Sequence, residues 1–361
     1  MKSRVLPKQL ISKMWRPEPD DSSRSDFFRF ERNERTTLIK EKEFNEIIST
    51  ITPYDLVAYG ELEPFYNKIK NWLGVDRKNI LLTSGSDAGI KTVYETYISK
   101  ADEVIVTLPN YAMFSVYAGM FGAKDVQYFY DKDLSLNTKG ITEIINSNTK
   151  MVVISNPGHT GTIVPEKELI KVIETAESFN AIVLIDEAYH HFYSNTMVRF
   201  INHYKNLIIT RTFSKAFGLA SIRIGILIAN EKVINELYKV KLVHEITGLA
   251  AKIGSYFLDH LDIVDRYVED VNLGKEVLHT RLKKFGFEVF KSEANFVFFK
   301  VPSSTEPSHL KEYLETKKIL IRGPFAKHPF DQHLRITVGD QNQMNTICDE
   351  IENYFFQSSS Q

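Results

Sequence analysis

A single cysteine, Cys348, in 361 residues leaves no partner for a disulfide within the chain, as expected of a protein kept in a reducing compartment. Uninterrupted apolar runs of about 18 residues, the length a helix needs to cross a bilayer, are missing as well. So is an excess of either charge: 45 basic side chains against 46 acidic ones give a net charge of -1, no electrostatic basis for binding nucleic acid or an anionic membrane. The opening Met1-Lys-Ser-Arg-Val-Leu-Pro7 has no apolar core of the kind a secretory signal carries. These absences predict a soluble globular protein of the cytoplasm, with small molecules rather than membranes or nucleic acids as partners.

What is there is core-forming material. With 43% hydrophobic residues, the chain can bury one large domain with a smaller one attached. Apolar runs at Glu103 to Pro109, Val126 to Tyr130, Met151 to Ser155, Ala181 to Asp186, Asn206 to Thr210 and Ile224 to Ala229 read as strands. Between them lie helical stretches such as Tyr111 to Phe121 and Glu166 to Phe179. Strands apolar on both faces, alternating with helices, predict an α/β fold: a mostly parallel sheet flanked by helices. Beyond about residue 250 a long helical stretch, Leu242 to Arg281, gives way to short strands and helices of a smaller α+β domain. The boundaries are 1–50 for an N-terminal arm and part of the small domain, 51–250 for the large domain and 251–361 for the small one. The aromatic part of the arm, Asp26 to Glu34, reads as a segment that docks on a partner subunit, and the Ser-rich tail from Gln357 as disordered.

In a parallel sheet of this kind, ligands collect where the strands end at their carboxyl edge. Three strand exits carry suggestive chemistry. After Asn79-Ile-Leu-Leu-Thr, the turn Ser84-Gly-Ser-Asp87 opens a helix, the geometry in which free N–H groups capture an anion. Asp87 there could also serve simply as a helix cap. Asp186 ends an apolar run and is followed by Tyr189, so a carboxylate and a phenol reach one rim; a capping aspartate is the competing reading. Lys215 follows the third strand, with hydroxyls at Thr212 and Ser214 and a guanidinium at Arg223 positioned to share one phosphate. An amine beside a phosphoester points to a carbonyl cofactor held as a Schiff base, with desolvation lowering the lysine pKa. Tyr111, near another strand exit, could stack on a planar ring, against a competing reading as a core residue at a helix start. Arg322 and Arg335 interrupt apolar strands and are candidates for gripping an anionic substrate, against a competing reading as surface ion pairs. His190 and His191 point apart and come with no thiol pair, so no metal is expected.

Taken together, Gly85-Ser-Asp87, Pro109 with Tyr111, Asp186-Glu-Ala-Tyr189, Arg211-Thr-Phe-Ser-Lys-Ala-Phe-Gly-Leu-Ala220, Arg223, Glu293-Ala-Asn-Phe296 and Leu334-Arg-Ile-Thr-Val-Gly339 resemble the fold type I pyridoxal-phosphate aminotransferases, in order and spacing from about Tyr59 to Gly339. Within them the likeness is to histidinol-phosphate aminotransferases. The resemblance implies a seven-stranded-type sheet and pyridoxal 5'-phosphate as cofactor. It implies Lys215 as the attachment point and proton shuttle, Asp186 at the pyridine nitrogen, Tyr189 at the phenolic oxygen and Tyr111 stacked on the ring. The phosphate would be bound by the backbone of Ser86 and Asp87 with Thr212, Ser214 and Arg223. Tyr59 would reach the phosphate from the neighbouring subunit of a homodimer. Arg335 would clamp a substrate carboxylate and Arg322 a second anionic group.

The chain departs from that pattern in four places. The family's Asn-Pro-Asn-Asn-Pro-Thr-Gly loop, whose last asparagine touches the phenolic oxygen, is the shorter Asn156-Pro-Gly-His-Thr-Gly161. Gly158, His159 or Asn156 then takes that place depending on how the loop is counted, and Asn156 is the expected residue. Gly60 replaces a proline after Tyr59, Ser221 a glycine before Arg223, and Asn33-Glu-Arg-Thr36 lacks the usual Asn-Pro continuation. The function expected is transamination between an amino acid, glutamate foremost, and a small carbonyl compound that carries a phosphate in the family. A decarboxylase of a phosphorylated amino acid uses the same cofactor residues and is the alternative. A non-catalytic regulator built on the fold is disfavoured by the intact Lys215, Asp186 and Arg223.

Overall fold

A computed structural model describes residues 6–18, 23–325 and 330–358. Of the Ser-rich tail, the residues beyond 358 lie outside that description. Strand β1 (Phe28–Phe30) belongs to the arm, and seven strands follow it into one sheet: β2 (Ile80–Ser84), β3 (Glu103–Leu108), β4 (Lys124–Phe129), β5 (Thr149–Ser155), β6 (Ile182–Asp186), β7 (Leu207–Thr212) and β8 (Ile224–Ala229). Their order is β2-β8-β7-β6-β5-β3-β4, with β8 antiparallel to both neighbours and every other pairing parallel. The α/β fold with a mostly parallel seven-stranded sheet is therefore present.

The runs of Ile, Val and Leu explain this sheet. Successive side chains of a strand face opposite sides, so Val152 and Ile154, Val183 and Ile185, and Ile226 and Ile228 enter one apolar core. Their alternates, Met151 and Val153, Leu184, and Leu227, enter a second core on the other face. A sheet covered on both faces leaves only its edges and rims for chemistry. Register aligns the rim: Ser155 stands opposite Asp186, Asp186 opposite Thr210, Thr212 opposite Gly225, and Ser84 opposite Ile224.

Strands β9 (Glu288–Val289), β10 (Phe296–Lys300), β11 (Ile319–Ile321) and β12 (His333–Thr337) complete the fold. The sheet β12-β10-β9 is antiparallel and packs beside the helix Leu261–Lys284, which in turn packs on Gln341–Ser358. β1 pairs in parallel with β11, Phe28 beside Ile319 and Phe30 beside Ile321. Within the chain, the aromatic stretch expected to dock on a partner subunit pairs along β1 with the strand at 319–321, and Phe30 is buried there. The helix expected from Leu242 to Arg281 is also divided. The helix Glu231–Val240 stops before a loop, Thr247 accepts from Ala250 N at 3.0 Å to cap Gly248–Asp259, and His260 separates that helix from Leu261–Lys284.

Candidate active site

The rim begins with an anion cradle. Gly85 (φ 76) turns out of β2 into the helix Gly85–Tyr97, whose first N–H groups have no acceptor in their own helix. Gly85 N donates to Arg223 O at 3.0 Å, and Arg223 itself adopts φ 58 as it enters β8. Gly85 is required by its left-handed φ and Gly225 by space. A Cβ on Gly85 would overlap the Arg223 guanidinium, and one on Gly225 would overlap the Gly85 main chain. From the adjoining strand exit, Thr212 Oγ1 donates to Ser214 Oγ at 3.0 Å and accepts from Ser214 N at 3.1 Å. Two hydroxyls, a guanidinium and a helix N-terminus therefore surround one small volume. The Asp87 carboxylate is not a helix cap; it accepts from Tyr111 OH at 3.2 Å and Tyr117 OH at 3.0 Å, which leaves its main-chain N–H for the cradle.

Tyr111 is tied to the cradle by that bond, and burial, then the Asp87 charge, raise its pKa, so it stays a neutral phenol. Its ring is 5.9 Å from Phe114, edge-on, and 6.4 Å from His159 at an interplanar angle of 13°. Asp186 is buried at the end of β6, with one oxygen accepting from Ala188 N at 3.2 Å. Burial raises its pKa to about 7, against the opposing pull of the Ala188 N–H and the Lys215 charge. Lys215 Nζ donates to Arg32 O at 2.9 Å. Desolvation first, then the Arg335 charge, lower the lysine to about 8, so a usable fraction of neutral amine exists near physiological pH.

The arm supplies a roof that the sequence does not reveal. Asn33, at φ 56, donates from Nδ2 to Tyr189 OH at 2.8 Å, donates its N–H to Thr337 Oγ1 at 2.9 Å, and accepts from Asn295 Nδ2 at 3.1 Å. The Glu31 carbonyl takes Arg335 Nη2 at 3.2 Å. Three consecutive residues thus bind the lysine, the tyrosine and the arginine of the rim. The polar pair Asn33-Glu34 is visible in the sequence, but nothing local ties it to residues some 150 to 300 positions away.

Arg335 is buried in β12, over the Phe296 ring at 5.0 Å, with Nε lacking a hydrogen-bond partner and no carboxylate paired to it among the described residues. Burial first, against the raising pull of Tyr189, and then the Arg322 charge lower it to about 10, still a cation. Arg322 is exposed and joined to Arg335 main chain to main chain at 3.0 and 2.8 Å. A buried cation without an acid is expensive unless an anion arrives.

Other expected residues lie elsewhere. Asn156 has both polar atoms engaged inside its own loop, Oδ1 accepting from Val164 N at 2.8 Å and Nδ2 donating to Val164 O at 3.3 Å. It braces the loop instead of facing the rim, because the shortened turn needs that closure. Tyr59 is 75% exposed and stacked on His244 at 3.9 Å, outside this chain's own cluster. Gly60 after it lies against Gly248, where a larger residue would collide with main chain. His190 and His191 pack around Trp72, and no group of three or more metal-ligating side chains occurs among the described residues. Behind Asp186, Glu187 and Arg211 form a buried ion pair at 2.9 Å that also binds Thr196 and Met197 N and stiffens the ends of β6 and β7.

The donor set suits a planar aromatic aldehyde bearing a phosphate: a cradle kept open by two glycines, an amine, a reluctant buried carboxyl and an unpaired arginine. Comparison with known proteins agrees. The family described as aminotransferase class I and II matches residues 42–351. A histidinol-phosphate aminotransferase of Clostridium novyi (strain NT) is 32% identical over 319 residues, 86% of this chain and 87% of that protein. One from Sulfurisphaera tokodaii is 34% identical over 290 residues, covering 80% and 77%. The crystal structure of histidinol-phosphate aminotransferase from Sinorhizobium meliloti, in complex with pyridoxal-5'-phosphate, superposes with a TM-score of 0.85 over 98% of this chain and 99% of that one, at 19% identity.

Proposed function

The chain belongs to the class I and II aminotransferases and is a pyridoxal-phosphate-dependent transaminase, and from that premise we propose that it moves an amino group between glutamate and a small phosphorylated carbonyl compound of the histidinol-phosphate kind. One juxtaposition carries the reading: the Lys215 amine shares its rim with Arg335, a buried cation in want of an anion.

When bound, pyridoxal phosphate supplies an aldehyde that accepts amino groups and a ring that withdraws electrons from the substrate carbon. Lys215 is the attachment point and the base that removes and returns a proton at that carbon. Asp186 holds a proton on the ring nitrogen, since a carboxyl this reluctant to ionise alone ionises readily against a cation. Tyr189 donates to the ring oxygen. Its hydroxyl already accepts from Asn33, which leaves the phenol hydrogen free. Tyr111 stacks on the ring, and the N–H groups of Ser86 and Asp87, with Thr212, Ser214 and Arg223, take the phosphate. Arg335 holds the substrate carboxylate and Arg322 its second anionic group.

The active form is a homodimer in the cytoplasm, with Tyr59 given to the partner's phosphate site. Support comes from Leu56, Val57, Tyr59, Leu242 and Val243, each at least 69% exposed and brought close by the Tyr59–His244 stack. The test is a single turnover. Holoprotein mixed with glutamate alone should yield stoichiometric 2-oxoglutarate, and added phosphorylated carbonyl acceptor should restore the starting absorbance. Carbon dioxide from a phosphorylated amino acid without 2-oxoglutarate from glutamate would replace this reading with a decarboxylase.

A further inference from the structure

Between β5 and the helix Glu166–Ser178, a short turn crosses the rim, closed by Gly158 N to Thr162 O and Gly161 N to Gly158 O, both at 2.9 Å. Glu293 N donates to Gly161 O at 2.8 Å and pins the turn to the C-terminal part of the chain. With the Asn156 amide committed to Val164 and Gly158 lacking a side chain, the turn presents one polar group to the site, the imidazole of His159. Exchange at Gly158 is blocked too, since a Cβ there would overlap the Tyr130 hydroxyl.

His159 has no hydrogen bond at either ring nitrogen among the described residues, and its Nδ1 is enclosed. It is nevertheless surrounded by the site. Its ring runs nearly parallel to Tyr111 and meets the edge of Tyr189 at 5.9 Å and 75°. The titratable groups facing it are those two tyrosines, from the turn after β3 and the segment after β6, with Lys215 after β7 and Arg335 on β12. Desolvation and the two cations hold the imidazole far below its usual pKa, so it is neutral and carries one N–H donor. Its Nδ1 is buried without a partner, and a buried polar atom left unsatisfied is destabilising unless a partner joins it.

We infer that His159 contacts the cofactor and would donate a hydrogen bond from its imidazole to the ring oxygen of pyridoxal phosphate, the same oxygen that Tyr189 would reach. The inference rests on the placement of that cofactor at Lys215. A donor at the ring oxygen draws off negative charge, so the oxygen holds the proton it shares with the lysine nitrogen less tightly. The visible absorbance transition of the holoprotein therefore lies at lower pH with the donor than without it.

Wild type, H159N and H159F, matched in far-ultraviolet circular dichroism, test this by pH titration of that absorbance and by titration of each apoprotein with pyridoxal phosphate. H159F keeps a flat ring and loses the donor: its transition should move up by about one pH unit and its cofactor dissociation constant rise about tenfold, the scale of one hydrogen bond to a charged acceptor. H159N, which returns an N–H donor, should stay near wild type in both. Overlap of H159F with wild type would mean the ring only stacks, and a shift in H159N as large as in H159F would mean the donor is irrelevant; either overturns the inference. Failure of wild type itself to take up cofactor at Lys215 would overturn the premise, and that arm is read separately.

Discussion

Asp186 is where burial and function conflict most directly. Its carboxyl is raised from 3.8 to about 7, mainly by desolvation. A carboxyl with a raised folded pKa contributes stability that is fully present below pH 3.8 and lost as pH rises through about 7. Removing the charge with the near-isosteric amide, Asp186→Asn, should therefore stabilise the apoprotein by a margin that grows from about pH 4 to pH 7 and is level above. Thermal melts of apoprotein should show a Tm gain of about a few degrees at pH 8, with cofactor binding and turnover severely impaired. An equal gain at pH 5 and pH 8 would contradict the assignment. Arg335 makes the complementary case. Arg335→Ala should lower kcat/KM for carboxylate-bearing substrates by about 100-fold or more, the scale of removing one partner of a buried charge pair. Arg335→Lys should recover little of it, since a point charge cannot replace a planar fork. Steady-state kinetics with glutamate checks both.

Among elements, the junction of β2, β8 and the helix Gly85–Tyr97 is the most constrained. Gly225→Ala should push β8 away from the helix start, where the added carbon would overlap Gly85, and weaken cofactor phosphate binding about tenfold or more. Fluorescence titration of the apoprotein measures it, and unchanged affinity would mean that the cradle lies elsewhere. This junction is legible in the sequence because its parts are local: a Gly/Ser turn after an apolar run, and a lysine flanked by hydroxyls at a strand exit. Six of the seven main strands are legible for the same reason, as apolar runs covered on both faces, whereas the edge strand β4 is only partly buried. The arm is not legible. Whether Phe28–Phe30 meets a partner or its own β11 depends on which edge lies free, and no local pattern encodes that. An unbroken helix from Leu242 is the wrong expectation because apolar spacing continues through His260 while the hydrogen-bonded ladder does not. Asn156 is misplaced by sequence reasoning for want of the one fact that decides it, the closure of its amide on Val164. The roles of Asn33 and Tyr117 are hidden because each matters only through a distant partner, Tyr189 and Asp87 respectively.

At the scale of the whole molecule, the proposed dimer makes a prediction that no single chain can satisfy. If Tyr59 completes the partner's phosphate site, Lys215→Ala and Tyr59→Ala, each impaired alone, should complement on subunit exchange. A mixed dimer regains one intact site, with Lys215 from one chain and Tyr59 from the other. Activity of the exchanged mixture should exceed the sum of the two proteins held apart, and light scattering should give twice the 41.6 kDa chain mass. Additive activities or a monomer would set Tyr59 aside as a surface residue stacked on His244. The outcomes on turnover and complementation presuppose one covalent fact. The most direct measurement is therefore peptide mapping by mass spectrometry after holoprotein formed with pyridoxal 5'-phosphate is reduced with borohydride. A stoichiometric phosphopyridoxyl adduct is expected on the peptide containing Lys215 and on no other; an unmodified Lys215, or an adduct at a different lysine, would contradict attachment there.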